Sequence, residues 1–211
     1  MKKLLLFVIV VAWMNIIHAQ EIIEKHMDYS PKKSVVLNLQ IADSITIRTW
    51  DKNELYVKAS VNINENKDNA AYETTFNDTG TSLNVDAHFS DKYFKGKKNC
   101  CNEAEISWEV YVPQNAELSL ETINGNVTIT GQTKDVYIKS ISGFIDMAVP
   151  GSKNANVDFS TISGTMYSNH DFSIEKDHRG IPSRISQKLN NGGDKIKLET
   201  ISGDIFFRKS N

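Results

Sequence analysis

A tetrapeptide of the form Ser/Thr-Ile-Ser/Asn-Gly occurs four times in the carboxyl-terminal half of the chain, ending at Gly125, Gly143, Gly164 and Gly203. Alignment on the glycine brings the flanking residues into register. Seven residues upstream stand Leu118, Val136, Val157 and Ile196, and five upstream stand Leu120, Ile138, Phe159 and Leu198. Two residues downstream come Val127, Ile145, Met166 and Ile205, and four downstream come Ile129, Met147, Ser168 and Phe207, so only Ser168 breaks the apolar rule. Side chains of a strand alternate between its faces, and a straight strand keeps one parity throughout. Here the upstream pair lies at odd offsets from the glycine and the downstream pair at even ones, so each unit must bend. The parity places the switch between the Ser/Thr and the isoleucine, which predicts that Ile123, Ile141, Ile162 and Ile201 enter the core at the bend. A glycine there permits positive φ or close approach of neighbouring backbone.

Bent units of this kind bury their apolar faces by stacking on one another. The expectation is an all-β chain forming a single-chain β-solenoid (β-helix-like) with short bent coils, preceded by a small antiparallel β region. A sandwich of recurring hairpins would use the same alternation, but the repeated corner favours stacked coils. The intervals between the glycines are 18, 21 and 39 residues. The last equals the first two together, which fits either a degraded coil hidden between Tyr167 and Asp194 or a loop excursion over residues 169–194. Pro182 and Gly192-Gly193 interrupt that stretch.

Upstream, the organisation reads as a lead-in segment at 20–33, an amino-terminal β region at 34–113 and the repeat region at 114–211. Val35, Leu37 and Leu39 alternate, as do Ile45 with Ile47, Leu55 with Val57, and Leu83 with Val85. In a further strand, stopped by Pro113, Ile106, Trp108, Val110 and Val112 should face inward and Ser107, Glu109 and Tyr111 outward. Trp50, beside a polar turn, reads as cover for a sheet edge. Residues 1–19 have a basic tip at Lys2-Lys3, an apolar run from Leu4 to Met14 and a small residue at Ala19, the pattern of an export signal cut after Ala19. The apolar run is short for a bilayer span of about 20 residues, so no transmembrane anchor is expected in the mature chain.

Without residues 1–19 the chain carries 22 basic against 26 acidic residues, a formal charge of −4. That balance offers no field to attract nucleic acid. The two cysteines, Cys100 and Cys101, are adjacent and have no distant partner in the chain. Neighbouring Cα atoms lie about 3.8 Å apart, below the roughly 4.4–6.8 Å of an ordinary disulfide. A strained vicinal bridge, free or intermolecular thiols, and a metal or redox site with His88 all remain open. No cofactor is implied.

The export signal, the Ile45-Thr46-Ile47 strand leading to Trp50, and the recurring Thr-Ile-Ser-Gly units resemble the adhesin-like β-repeat (β-helix) family of exported bacterial proteins. The stretch from Gly192 to Ile205 is the most family-like. The resemblance implies a β-helix-like fold, adhesion of undefined molecular mechanism and no catalytic motif. The irregular 39-residue interval departs from the family's regular spacing.

Two functional classes follow. The first is a non-catalytic envelope or surface protein, an adhesin-like binding or structural scaffold that engages an envelope protein or a surface glycan or associates with itself. Phe144, Tyr167 and Phe206 fall at outward offsets and form its candidate contact patch. The second is a carbohydrate-active enzyme on a β-helix scaffold. Glycoside hydrolysis needs two suitably spaced carboxylates, and Asp146 and Asp158 are the candidates, with Arg179 or Arg184 folded over them.

Overall fold

The computed structural model describes residues 20–94, 103–171 and 183–210. Seven strands precede the repeats: β1 (Glu21–Asp28), β2 (Ser34–Leu39), β3 (Ile41–Trp50), β4 (Glu54–Ile63), β5 (Tyr72–Asp78), β6 (Ser82–Phe89) and β7 (Ala104–Pro113). The repeats supply β8 (Glu117–Thr130), β9 (Val136–Ser142), β10 (Ile145–Val149), β11 (Ala155–Ser163), β12 (Met166–Ser168), β14 (Asp194–Ser202) and β15 (Ile205–Lys209), with β13 (Ser183–Leu189) inserted ahead of the last unit.

Strand pairing arranges these elements in two layers that share β8. One layer runs β5-β6-β2-β8-β9-β14-β11-β13 and the other β1-β4-β7-β3-β8-β10-β15-β12. The first half of β8 pairs with β2 and β9, and its second half with β3 and β10. The inward side chains of both layers form one apolar core. Contacts cross it at Phe159–Phe207, with ring centroids 5.0 Å apart, and at the Trp108 indole, which donates to the Tyr72 hydroxyl at 3.2 Å.

The expected all-β, repeat-built architecture is present, with three corrections. The amino-terminal region is not a separate antiparallel sheet. Its β2 and β3 run parallel to β8 and form another bent unit, and β6 and β7 extend the layers in parallel. Antiparallel pairing is confined, in this region, to β1–β4, β4–β7 and β5–β6. The unit escaped notice because Ala42 stands where the others have glycine, and an irregularity between Ile41 and Ser44 restores the numerical parity of Leu39 and Ile45. Residues 21–28, read as a lead-in, form the edge strand β1.

The second correction concerns winding. A closed solenoid adds coils in chain order, whereas here the sheets are open and the final unit, β14–β15, lies between β9–β10 and β11–β12. β13 pairs antiparallel with the other side of β11, so β13 and β14 straddle that strand. The short turn between them crosses β11 at its start, where Asn190 donates to the Gly151 and Lys153 carbonyls and the Asn156 amide to Gly193. Among its described residues, the 39-residue interval thus contains one antiparallel edge strand and a return into the interior of the stack.

The bend also differs from its predicted form. Thr122, Ser140, Thr161 and Thr200 are buried, whereas Ile123, Ile141, Ile162 and Ile201 are exposed by 45, 41, 64 and 44%. The inward parity therefore switches two residues later than the pattern suggested, and the isoleucine and the following Ser or Asn both face solvent. Three of the four hydroxyls explain the preference, because a bend leaves carbonyls outside the regular ladder and a buried carbonyl needs a donor. Thr122 donates to the Asn124 carbonyl at 3.2 Å, Ser140 to that of Ser142 at 3.0 Å and Thr161 to that of Gly203 at 3.1 Å.

The glycines stack in the spatial order Gly125, Gly143, Gly203, Gly164. A Cβ on Gly143 would meet the Gly125 oxygen at 2.4 Å, one on Gly203 the Gly143 oxygen at 2.0 Å, and one on Gly164 the Gly203 oxygen at 2.0 Å. Close backbone approach is therefore the main reason for glycine here, with positive φ (111°) an added reason at Gly143. Each regular unit buries four large side chains at about 1.5–3 kcal/mol apiece. Ordering the backbone costs about 1–2 kcal/mol per residue, so a unit holds its shape only against its neighbours.

Candidate contact surfaces

The outward side chains of the β10–β15–β12 layer come from the positions between core residues. Register places Asp146, Phe206 and Tyr167 side by side on three adjacent parallel strands. The Phe206 and Tyr167 rings stack at 5.0 Å and 8°, and Phe144 meets Phe206 edge-on at 6.2 Å. Tyr167 is 49% exposed. The three aromatic residues singled out in the sequence are thus one continuous row. The Arg208 guanidinium grips Asp146 at its border through two hydrogen bonds of 2.7 and 2.6 Å. That interaction holds the Arg208 pKa above its usual value.

Asp146 and Asp158 do not form a pair. Asp146 lies on β10 and Asp158 on β11, strands of opposite layers, and both alternate with core residues and so face away from the shared interior. Asp158 is held by Arg184 through hydrogen bonds of 3.1 and 2.6 Å. The predicted meeting of the two carboxylates fails because the bend sends the two halves of a unit into different sheets. Cys100, Cys101 and Arg179 lie outside the described residues. Among the described residues no group of three or more His, Cys, Asp or Glu side chains could hold a metal ion, and no helix is long and apolar enough to cross a membrane.

Two surfaces were not foreseen. On β1, β4, β7 and β3, His26, Tyr56, Tyr111 and Trp50 form an outer aromatic cluster with centroid separations of 4.6–6.1 Å. Lys52 lies over the Trp50 ring at 4.5 Å and Arg48 over Tyr111 at 5.9 Å. A hydrogen bond from Tyr56 to the Glu24 carboxylate, at 2.8 Å, pushes the phenol up to about 12. The outward alternation of Tyr56 and Tyr111 was visible in the sequence, but their cross-strand pairing was not.

The second surface is the isoleucine corner. Thr122, Ser140, Thr200 and Thr161 occupy matching register positions on β8, β9, β14 and β11, so the next residues, Ile123, Ile141, Ile201 and Ile162, form a ladder. Beside Ile123 and Ile141 lies an open hollow of about 330 Å³ that also contains Asn38, Gln40, Asp86, Glu121 and Lys139. Asn38 donates to Asp86 at 2.6 Å.

The fold has a counterpart among solved structures. One solved structure, of a "putative cell adhesion protein" from Clostridium sporogenes, is 12% identical, with 91% of this chain and 100% of that one aligned at a TM-score of 0.60. It shares the fold. Another, of a "putative adhesin" from Bacteroides fragilis, is 9% identical over 92% of this chain and 99% of its own, with a TM-score of 0.34. No curated protein matches the chain. A family model described as Toastrack DUF4097 matches residues 33–144 and 128–207. The matched stretches take in the unforeseen β2–β3 unit as well as the glycine repeats, and the chain belongs to the Toastrack DUF4097 family.

Proposed function

We propose that this chain is an exported, non-catalytic protein of the cell envelope or surface, acting as an adhesin-like binding or structural scaffold. The observation that carries the reading is the aromatic row Phe144–Phe206–Tyr167. It places partly exposed rings side by side on hydrogen-bonded strands, with Phe206 on β15 paired on both sides and Tyr167 on the neighbouring edge strand, so little ordering is needed when a partner binds. The fold shared with the "putative cell adhesion protein" of Clostridium sporogenes supports the same reading. A surface glycan or an envelope protein is the proposed partner, and residues 1–19 are proposed to direct export and to be removed after Ala19.

The enzymatic alternative loses its premise. The two candidate carboxylates face away from each other, and each is already engaged by an arginine.

The test displays the full chain on cells of its native host and measures adhesion and envelope-component capture for wild type and Tyr167→Ala. A loss of capture in the variant, with an unchanged melting curve, is the expected result. Equal capture would remove the aromatic row from the function. Recovery of the chain in the cytoplasm with residues 1–19 intact would overturn the exported scaffold itself.

A further inference from the structure

The isoleucine corner inverts the usual economy of a repeat, in which the apolar residue goes inward and the hydroxyl outward. Burial of the hydroxyl is explained at three of the four units by the carbonyl it reaches. Exposure of the isoleucine four times in succession is not, since Ser or Thr would serve equally at a solvated bend. The four side chains stand on adjacent strands about 4.8 Å apart, so the ridge is straight and about 14 Å long.

Three features identify its occupant. Four half-exposed isoleucines fall well short of the roughly 800 Å² that each partner of a standard protein–protein interface buries, which argues for a short segment rather than a second folded copy. Branched aliphatic side chains offer no flat ring for stacking on a sugar. The hollow at the Ile123 end is acidic, with Asp86 and Glu121 against the single Lys139. Glu121 and Lys139 are cross-strand neighbours, yet no ion pair joins them, and the Asp86 carboxylate is bonded by the neutral Asn38 amide. An acidic hollow repels an anionic membrane surface and attracts a cation.

We propose that this corner is a docking groove for an extended polypeptide segment in which a basic residue precedes alternating apolar residues. The basic side chain sits between Glu121 and Asp86, and the apolar side chains lie along Ile141, Ile201 and Ile162. In an extended chain, alternate side chains are about 6.8 Å apart, so two or three span the ridge. The surface is separate from the aromatic row, and loss of one leaves the other in place.

The test uses fluorescence anisotropy of a labelled peptide, Lys-Val-Thr-Val-Thr-Val, with the full chain. The Lys peptide should bind, and the same peptide with Glu in place of Lys should bind at least about tenfold more weakly. Both Glu121→Lys and the double variant Ile141→Ser with Ile201→Ser should weaken the Lys peptide by at least about the same factor. Tyr167→Ala should leave its affinity unchanged, which separates this proposal from the adhesion reading. All of these positions face solvent, and circular dichroism verifies folding; the charge variant leaves the ridge intact. Equal binding of the Lys and Glu peptides, or full binding by the isoleucine variant, overturns the proposal. So does isoleucine-dependent binding to phosphatidylglycerol vesicles with none to the peptide, which would mark a lipid surface. A concentration-dependent dimer abolished by the isoleucine changes would instead assign the ridge to self-association.

Discussion

Gly203 lies in the interior of the glycine ladder, and its replacement by alanine is the sharpest test of the architecture. The added methyl carbon would sit 2.0 Å from the Gly143 carbonyl oxygen, whereas ordinary contact begins near 3.4 Å. The neighbouring strands would therefore have to separate by about 1.4 Å at the bend. Two backbone hydrogen bonds bridge the same place: Gly203 N–H to the Ser163 carbonyl at 3.0 Å and Gly143 N–H to the Ser202 carbonyl at 3.2 Å. Losing them costs about 0.5–1.5 kcal/mol each, and overpacking adds about 1–3 kcal/mol. A destabilisation of about 4 kcal/mol is expected. At about 2–4 °C per kcal/mol for a protein of this size, Tm should fall by about 8–16 °C. Calorimetry measures the shift, with Gly151→Ala as the control, since a Cβ there meets nothing closer than the flexible Lys209 side chain at 3.8 Å. A Gly203→Ala protein within about 1 kcal/mol of wild type would refute the close-approach account.

The buried hydroxyls separate by their partners. Thr161→Val should cost about 1 kcal/mol because it removes a donor from the Gly203 carbonyl, whereas Thr200, whose buried hydroxyl has no partner among the described residues, should tolerate valine with no loss in urea denaturation. Burial lowers the pKa of His170, packed against Phe207 at 4.6 Å, so the unfolded chain takes up its proton first. Stability should thus be level above about pH 7 and fall as pH drops through about 6.5, and His170→Phe should remove that component of the slope. Asp158→Asn should change stability by about 1 kcal/mol or less, because the Arg184 side chain that pairs with it is largely solvated. Intact mass before and after reduction reports on Cys100 and Cys101: a gain of two hydrogens within one chain identifies a vicinal bridge, and no change excludes it.

The unforeseen aromatic cluster and the isoleucine ladder escaped the sequence for different reasons. Residues such as Tyr56 and Tyr111 are far apart in the chain and meet only through strand register, which is set by long-range pairing. The ladder was legible as a repeat, but its direction was not. Apolar character argued for burial, while the decisive factor was the hydrogen-bond requirement of carbonyls at the bend, a property of backbone geometry.

The fourfold glycine, its apolar flanks and their change of parity were enough to establish bent, stacked, all-β units, because strand alternation is local physics that any single chain must obey. The order of stacking was not local. Gly125, Gly143, Gly203 and Gly164 are chemically equivalent, and every unit offers its neighbours the same hydrogen-bonding edge. Only the whole molecule, through the β13–β14 arms that straddle β11, decided that the last unit in the chain occupies the interior of the ladder.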